Sequence, residues 1–330
     1  MARKTAYKTA KEEEELRSHR QTSTKEKVAR KEKREKKVAF YLLIGFILTL
    51  AAAFNFYHLT KFLTPDEDGW LVIKIPNFFQ ALTSFNWHNL LISDKPGITV
   101  AWLVKAGSLF TDQSLERFVN EPQLLLWARL PLIFANIGLL FWLTLLVKKA
   151  TKSSTTAILF LALTATNPTI RGMTAIVNPD SISWFFPLGF LLAFYLYLKK
   201  QQAPYLWQSA VIFATGTLTK FTFVIVLPFL LLFLPTYYLF NDTKQNYLKT
   251  ATKAFFKVYI LSFFLSLVLW PYLIIAPQQY LYLTFLKPLY RPVLLPTAFL
   301  LVIYYLYAQS IEKKLTPLKS FLPKVISLTL

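Results

Sequence analysis

The sequence contains no cysteine, so disulfide bonds and metal sites with thiolate ligands are excluded. Histidine is also scarce: only His19, His58 and His88 occur, and they form no cluster that would indicate a metal site. We interpret His58 and His88 as residues at a membrane interface. Acidic residues are outnumbered, with 17 Asp and Glu against 37 Lys and Arg, which gives a formal net charge of +20.

Apolar residues are abundant. Hydrophobic residues make up 55% of the 330 residues, aromatic residues make up 17%, and the mean hydropathy is +0.41. A soluble domain of this length would be less apolar, and several runs are long enough to cross a bilayer. The composition therefore predicts an all-α polytopic membrane protein.

Many of the basic residues lie at the N-terminus. Residues 1–37 hold 14 Lys and Arg against 7 Glu, with almost no large apolar side chains. Such a segment cannot bury enough surface to fold, so we interpret it as a disordered cytoplasmic tail that favours anionic lipid. Tyr7 is the only Phe, Trp or Tyr among its basic residues, so nucleic acid is not an expected partner.

Eight apolar runs are predicted to cross the membrane. Each is close to the roughly 17–25 residues that a spanning helix needs, although some are marginally short. The first run lacks the cleavage pattern of a signal peptide and is too long for its apolar core, so it is expected to be retained. The predicted spans are 38–59, 124–147, 155–174, 182–198, 204–219, 221–240, 258–275 and 293–307.

Lysines between these runs indicate the orientation of the chain. With a cytoplasmic N-terminus and eight spans, every lysine cluster between spans falls on the cytoplasmic face of the plasma membrane, as the positive-inside rule requires. This agreement requires that residues 98–110 do not cross. Because this segment is about 13 residues long and carries Lys105 in its middle, we predict an interfacial helix there. The first outer loop then covers residues 60–123 and contains further interfacial helices.

Three short polar motifs fall on the outer face in this topology. They are Asp66-Glu67, Ser93-Asp94-Lys95-Pro96-Gly97 and Asn178-Pro179-Asp180. Each motif also fits the start of a helix, since residues 64–67 match a capping box, Asp94 lies before Pro96 and Asn178 lies before Pro179. If folding brings the motifs to one level, their carboxylates can deprotonate an acceptor hydroxyl or coordinate a divalent ion.

Four basic residues accompany these carboxylates, namely Lys95, Arg129, Arg171 and Lys220. Cations at membrane depth are costly unless they are paired or face a ligand, and they suit a phosphate. An anionic lipid headgroup meets that description. Snorkelling to the interface is the alternative interpretation for Arg129 and Lys220.

Several short motifs follow one another in a distinctive order. They are Asp66-Glu67, Asp94-Lys95-Pro96-Gly97, Arg129-Leu130-Pro131, Asp180, Leu218-Thr219-Lys220, Leu269-Trp270-Pro271 and Ala276-Pro277. This order resembles the GT-C superfamily of lipid-linked-sugar glycosyltransferases, and within it the family of protein O-mannosyltransferases and aminoarabinose transferases. The resemblance covers roughly residues 38–277. Gly97 departs from the pattern, because better-studied members have a second proline at that place.

The resemblance implies a GT-C-type bundle of about eight transmembrane helices. Residues 38–277 would form the catalytic membrane module. Residues 278–330 would supply the last span and a short cytoplasmic C-terminus, which is shorter than the corresponding region of relatives.

The resemblance also implies an activity. A hexosyl or pentosyl group would pass from a polyprenyl-phosphate donor to a hydroxyl of a lipid, glycan or protein on the extracytoplasmic face. Asp66 would act as the general base, which gives inversion at the anomeric carbon. The implied site residues are Asp66, Glu67 and Asp180 for catalysis, and Asp94, Lys95, Arg129, Arg171 and Lys220 for substrate binding. In some members of the wider superfamily such acids bind a divalent ion instead, for which Asp66 and Asp180 would be the ligands; no other cofactor is expected.

Two alternatives remain open from the sequence. A transporter or flippase of lipid-linked glycans would place its charged residues near the midplane and show internal repeats, and we find no repeat. A non-catalytic membrane scaffold would use the acidic residues only as helix caps. The relative position of Asp66 and Asp180 distinguishes these readings, since an enzyme needs both on one side of the bundle.

Overall fold

A computed structural model shows an all-α chain in which helices account for nearly all of the described residues. No strand occurs among those residues. The structure describes residues 30–57, 59–60, 63–91, 93, 95–111, 115, 117, 121–240, 247–282 and 291–329. Most of the predicted tail, residues 1–29, lies outside the described residues.

We number the α-helices in chain order. Two 3₁₀ segments, Trp87–Leu90 and Phe221–Ile225, and one π-helical segment, Gly69–Lys74, lie between them. The helices are α1 Arg30–Tyr57, α2 Pro65–Asp68, α3 Ile75–Thr83, α4 Ile98–Ser108, α5 Pro122–Thr151, α6 Ser154–Thr166, α7 Pro168–Met173, α8 Asp180–Ser183, α9 Phe185–Lys200, α10 Ala203–Thr219, α11 Val226–Phe240, α12 Tyr247–Leu269, α13 Tyr272–Ile275, α14 Pro277–Leu281 and α15 Arg291–Thr329.

Among the described residues, six helical segments are long and apolar enough to cross a membrane. They are Arg30–Tyr57, Gln123–Thr151, Asp180–Lys200, Phe221–Phe240, Tyr247–Leu269 and Arg291–Pro317. The predicted all-α polytopic membrane fold is confirmed. The other two predicted spans are also helical but shorter: α10 has 17 residues, and the predicted run 155–174 divides into α6 and α7. The division falls at Pro168, where the side chain of Asn167 caps α7 by accepting hydrogen bonds from Thr169 and Ile170.

Two of the lysine clusters between the spans lie at the C-terminal ends of helices, whereas Lys249, Lys253 and Lys257 lie in the first half of α12. Lys148 and Lys149 occupy the last turn of α5, and Lys199 and Lys200 the last turn of α9. Positive charge in the last turn is favourable because the carbonyl groups there carry partial negative charge. The lysines of these two clusters therefore also stabilise the helix ends.

Internal contacts divide the chain into two units, one ending at Leu50 and one beginning at Ala51. The described part of the first unit is the N-terminal portion of α1, where Lys36 pairs with Glu32 at 2.6 Å on an exposed surface. An exposed pair of this kind contributes little to stability. All features described below belong to the second unit.

The core of the second unit is built around α10, which packs against α9 and α12. Phe213 of α10 lies at the centre of this contact, with its ring 5.3 Å from Phe190, 5.2 Å from Phe223 and 6.1 Å from Phe255. Edge-to-face rings at such distances favour a fixed arrangement. This aromatic core positions two parts of the chain that belong to the candidate site, the start of α8 and the end of α10.

The predicted interfacial helix at residues 98–110 is α4, which has 11 residues and is too short to span a membrane, as expected. More than half of its residues are nevertheless buried against α5 and α10. A Cβ at Gly107 would lie 1.9 Å from the carbonyl oxygen of Trp127, so glycine permits the close approach of α4 to α5. Trp102 of α4 donates to the carbonyl oxygen of Leu269 at 3.0 Å. The first loop therefore packs into the bundle.

A second indole hydrogen bond runs between the same two regions. Trp270, which follows α12 and is wholly buried, donates from Nε1 to the carbonyl oxygen of Leu90 at 2.9 Å. The motif Leu269-Trp270-Pro271 thus holds the first loop at the end of α12.

Candidate active site

The first acidic motif begins α2 as a capping box, as the sequence predicts. Thr64 is the N-cap, Pro65 is the first helical residue, and the backbone N–H of Thr64 donates to Glu67 Oε2 at 3.0 Å. The two acids of the motif have opposite environments, because Asp66 is exposed and Glu67 is completely buried.

Glu67 forms a buried ion pair with Arg129 of α5. Arg129 donates from Nε to Glu67 Oε1 at 2.8 Å and from a terminal nitrogen to Oε2 at 2.6 Å. Its other terminal nitrogen donates to the carbonyl oxygen of Leu59 at 2.5 Å, and the N–H of Val177 donates to Glu67 Oε1 at 2.9 Å. Arg129 is 1% exposed, so it does not snorkel to a surface. A bidentate pair with its remaining groups satisfied joins α2, α5 and the segment before α8.

Asn178 links the other two acids. Its side-chain amide donates to Asp66 Oδ2 at 3.0 Å, and its side-chain oxygen accepts from the backbone N–H of Asp180 at 2.9 Å. The carboxylate of Asp180 in turn pairs with the ammonium of Lys220. Asp66, Asn178, Asp180 and Lys220 therefore form one hydrogen-bonded series, which we call the carboxylate–lysine series. It joins residues up to 154 positions apart on the same side of the second unit.

Lys220 is held in place by the end of α10. It is the C-cap of that helix in an extended conformation, and its N–H donates to the carbonyl oxygen of Gly216 at 3.0 Å. Its side chain and that of Asp180 are 22% and 27% exposed, so the pair is accessible to a ligand. Asp180 uses one of the three N–H donors that an ammonium offers, which leaves capacity for a phosphate oxygen.

The second motif reaches the same region through its backbone. Gly97 N–H donates to the carbonyl oxygen of Thr219 at 3.0 Å, next to Lys220. Lys95 is exposed, and its N–H donates to Ser93 Oγ at 2.9 Å. Asp94, the remaining predicted residue of this motif, lies outside the described residues.

Gly97 has a conformation that proline, the residue expected at this place from the resemblance, cannot adopt. Its φ is +64°, in the left-handed region, and a Cβ built on it would lie 2.0 Å from the ring of Trp70. Proline is restricted to φ near −65° and has no N–H to donate. The departure from the expected second proline therefore has a local structural reason.

Arg171 is not joined to the carboxylate–lysine series by any described hydrogen bond. It lies in α7, with its guanidinium 3.4 Å from the ring centre of Phe54. Together with Phe54, Asn55 and Arg129 it lines a separate cavity of about 290 Å³.

The donor set does not fit a divalent ion at Asp66 and Asp180. The ammonium of Lys220 pairs with Asp180, and the neutral side-chain amide of Asn178 donates an N–H to Asp66, so a hydrogen-bond donor already occupies an oxygen of each carboxylate. Within the described part of the chain, no three His, Cys, Asp or Glu residues form a group that could hold a metal.

A polar cavity of about 610 Å³ lies beside α3, apart from the carboxylate–lysine series. Its polar lining includes Lys74, Asn77, Gln80, Asn86, His88 and Asn89. None of the predicted site residues that the structure describes lines it, so the candidate site is located by hydrogen-bond geometry and not by cavity size.

Residues 94–270 match the profile of the family described as dolichyl-phosphate-mannose-protein mannosyltransferase, which covers more than half of the chain. The chain belongs to this family. The membership places the protein in the GT-C superfamily, as a membrane glycosyltransferase with a lipid-linked sugar donor. No curated protein and no solved structure matches the chain.

The match contains most of the GT-C protein's candidate residues but not the first motif. Arg129, Arg171, Asp180 and Lys220 lie within it, whereas Asp66 and Glu67 precede it. The structure connects the two parts, because Asn178 contacts Asp66 and Arg129 contacts Glu67.

Sequence reasoning did not assign a site role to Asn178 or to the backbone of Val177. Asn178 belongs to the motif Asn178-Pro179-Asp180, but its position before Pro179 indicated only the start of a helix. Asn178 does act at the start of α8, since its side-chain oxygen accepts from the N–H of Asp180. Its second contact, with Asp66, depends on the tertiary fold.

Proposed function

We propose that this GT-C protein transfers a sugar from a polyprenyl-phosphate donor to an acceptor hydroxyl on the extracytoplasmic face of the plasma membrane. The observation that carries the proposal is the carboxylate–lysine series, which connects an exposed carboxylate at Asp66 to a cation at Lys220. A transfer of this kind needs a base for the acceptor and a cation for the departing phosphate. The series offers both in one place.

Asp66 is the proposed general base. Its Oδ2 accepts from Asn178, and Oδ1 has no described partner and can receive a proton. In the proposed step the acceptor hydroxyl gives its proton to Asp66 while its oxygen forms a bond to the anomeric carbon. The bond from that carbon to the phosphate oxygen breaks, and polyprenyl phosphate leaves with the electron pair. Attack from the face opposite the phosphate gives inversion.

Lys220 is proposed to stabilise the charge that grows on the departing phosphate. Its pairing with Asp180 fixes the ammonium before the donor arrives, and a fixed cation is more effective than one that must reorganise. Lys95 is proposed as a second contact to the donor, because its motif is tied to the residue before Lys220. Asp180 would also orient a sugar hydroxyl.

Glu67 and Arg129 are proposed as positioning residues. Their ion pair is buried and joins α2 to α5, so it holds Asp66, the neighbour of Glu67, at a fixed place. Neither side chain is exposed to a substrate in this arrangement. The resemblance implies that Glu67 takes part in catalysis and that Arg129 binds substrate. We propose instead that both residues hold the site together.

The orientation is proposed from the lysine clusters. Those at the ends of α5 and α9 would face the cytoplasm, with the N-terminus, and the carboxylate–lysine series would face outward. The catalytic module would then comprise residues 38–277, followed by the last span and a cytoplasmic C-terminus. The acceptor would be a hydroxyl of a lipid, glycan or protein.

Purified protein incubated with a panel of polyprenyl-phosphate sugars tests the proposal. Release of polyprenyl phosphate, coupled to appearance of an inverted glycoside, is the expected result. If the full panel and a mixed set of lipid, glycan and peptide acceptors gave no transfer in protein that reconstitutes folded, the proposed reaction would be rejected.

A further inference from the structure

A small recess beside α7 contains several enclosed polar atoms without partners. Its volume is about 30 Å³, and its lining includes Asn55, Asn136, Arg171, Thr174 and Trp184. Asn136 Oδ1, Arg171 Nε and Trp184 Nε1 are buried and have no hydrogen-bond partner among the described residues. Most buried polar atoms in proteins are paired, so three unpaired atoms around one recess point to a ligand or ordered solvent there.

The recess opens next to a larger apolar cavity. Asn55 and Arg171 line both, and the larger cavity, of about 290 Å³, is otherwise walled mainly by apolar groups such as Phe54, Ala175 and Ile176. The two together present polar groups, namely the donors Arg171 Nε and Trp184 Nε1 with the acceptor Asn136 Oδ1, beside an apolar wall. An amphipathic molecule matches this division.

The charge of this cavity is positive. Arg129 also lines it, but its charge is matched by Glu67. Arg171 stacks on Phe54, and no described carboxylate lies within ion-pair distance of it. A guanidinium in apolar surroundings is costly without an anion, and phosphate suits its planar array of donors.

We propose that this cavity binds a phosphate carried on an apolar chain, with Arg171 contacting the phosphate and the Phe54 wall contacting the chain. The site is distinct from the carboxylate–lysine series, and it requires binding only, so it does not depend on the transfer reaction. Two sources share this chemistry: the polyprenyl phosphate released by transfer, and an anionic phospholipid of the bilayer.

The test measures lipid binding to the full chain by native mass spectrometry. Farnesyl phosphate and didecanoyl phosphatidic acid are the probes, and farnesol and didecanoyl glycerol are their phosphate-free controls. All measurements use a Lys220→Gln background, which removes the cation of the proposed donor site. Arg171→Gln is expected to weaken phosphate-lipid binding about tenfold or more, because charge-assisted hydrogen bonds are lost. Lys149→Gln, which removes a cation 5.5 Å from the ring of Tyr205, is the matched control and should change nothing.

Asn55→Asp decides the matter if Arg171→Gln does not fold. Asn55 Oδ1 accepts from Thr174 Oγ1 at 3.2 Å, a bond that aspartate keeps, and the new carboxylate supplies an internal anion for Arg171. This variant should fold and bind phosphate lipids more weakly. Unchanged affinity in both variants, or equal binding of the phosphate-free lipids, would overturn the proposal. Tighter Arg171-dependent binding of farnesyl phosphate assigns the carrier as the source, and tighter binding of phosphatidic acid assigns the bilayer.

Discussion

The backbone N–H of Gly97 donates to the carbonyl oxygen of Thr219 at 3.0 Å, across 122 positions of sequence. The bond fixes the turn that carries Lys95 against the end of α10, one residue before Lys220. Gly97 can make it because its φ is +64° and because no side chain stands between it and Trp70.

Gly97→Ala is expected to destabilise the protein by about 1–3 kcal/mol, since a left-handed residue with a Cβ is strained and the new methyl meets Trp70. The melting temperature in detergent measures this. Gly138→Ala is the matched control, because a Cβ at Gly138 meets no atom within 4 Å and alanine favours the helix interior. Equal melting temperatures for the two variants would contradict the strained geometry.

Asp66→Asn is expected to lower sugar transfer about 10²- to 10⁴-fold, the usual contribution of a general base. Folding should be retained, because Asp66 is exposed and the amide oxygen of asparagine can still accept from Asn178. The initial rate of glycoside formation is the measurement. Asp68→Asn, an exposed acid two residues away, serves as the control and should keep the parental rate. Normal turnover by Asp66→Asn would reject the role of Asp66.

Lys220→Gln is expected to lower kcat about 10²- to 10³-fold, as when one donor to a developing negative charge is removed. Since the stabilisation acts on the departing phosphate, KM for the donor should change less than kcat. Lys105→Gln, which removes a cation 5.6 Å from the ring of Phe79, is the control. A variant whose loss is confined to KM would show that Lys220 only binds the donor.

Glu67→Gln is expected to destabilise the protein by about 3–5 kcal/mol, because it leaves the buried charge of Arg129 without a counter-ion. Reversible unfolding followed by circular dichroism gives the free energy. The double variant Glu67→Gln with Arg129→Gln should lose less than the sum of the two single losses, since it removes both charges. Strict additivity would indicate that the two side chains do not interact.

Chelation is expected to leave transfer unchanged, because the carboxylates of Asp66 and Asp180 already accept hydrogen bonds from the amide of Asn178 and the ammonium of Lys220. The measurement is the rate of transfer after exhaustive treatment with EDTA, compared with the rate after added Mg²⁺ or Mn²⁺. Loss of transfer after EDTA, with recovery when Mg²⁺ or Mn²⁺ is added, would show that the site does hold a metal ion.

The long helices could be predicted from the sequence because a run of about twenty apolar residues has few other folds. The division of the run 155–174 was less evident, although Asn167-Pro168 is a typical helix start. Burial of α4 could not be predicted at all, since it depends on the close approach at Gly107 to a residue in another helix.

The candidate site was predictable in part. The sequence supplied the residue types and the expectation that Asp66 and Asp180 share one side, and the structure brings both into one hydrogen-bonded series. The pairing of Glu67 with Arg129 left no trace in the sequence, because two charged residues 62 positions apart have many potential partners. Their roles in the reaction stay predictions.

Trp102 and Trp270 fasten the first loop and the end of α12 to each other from both sides. Swinging this loop outward like a lid would break both bonds and bring a wholly enclosed indole into water. We therefore expect a lipid-linked sugar to enter laterally from the hydrocarbon region of the bilayer, while the first loop keeps its position.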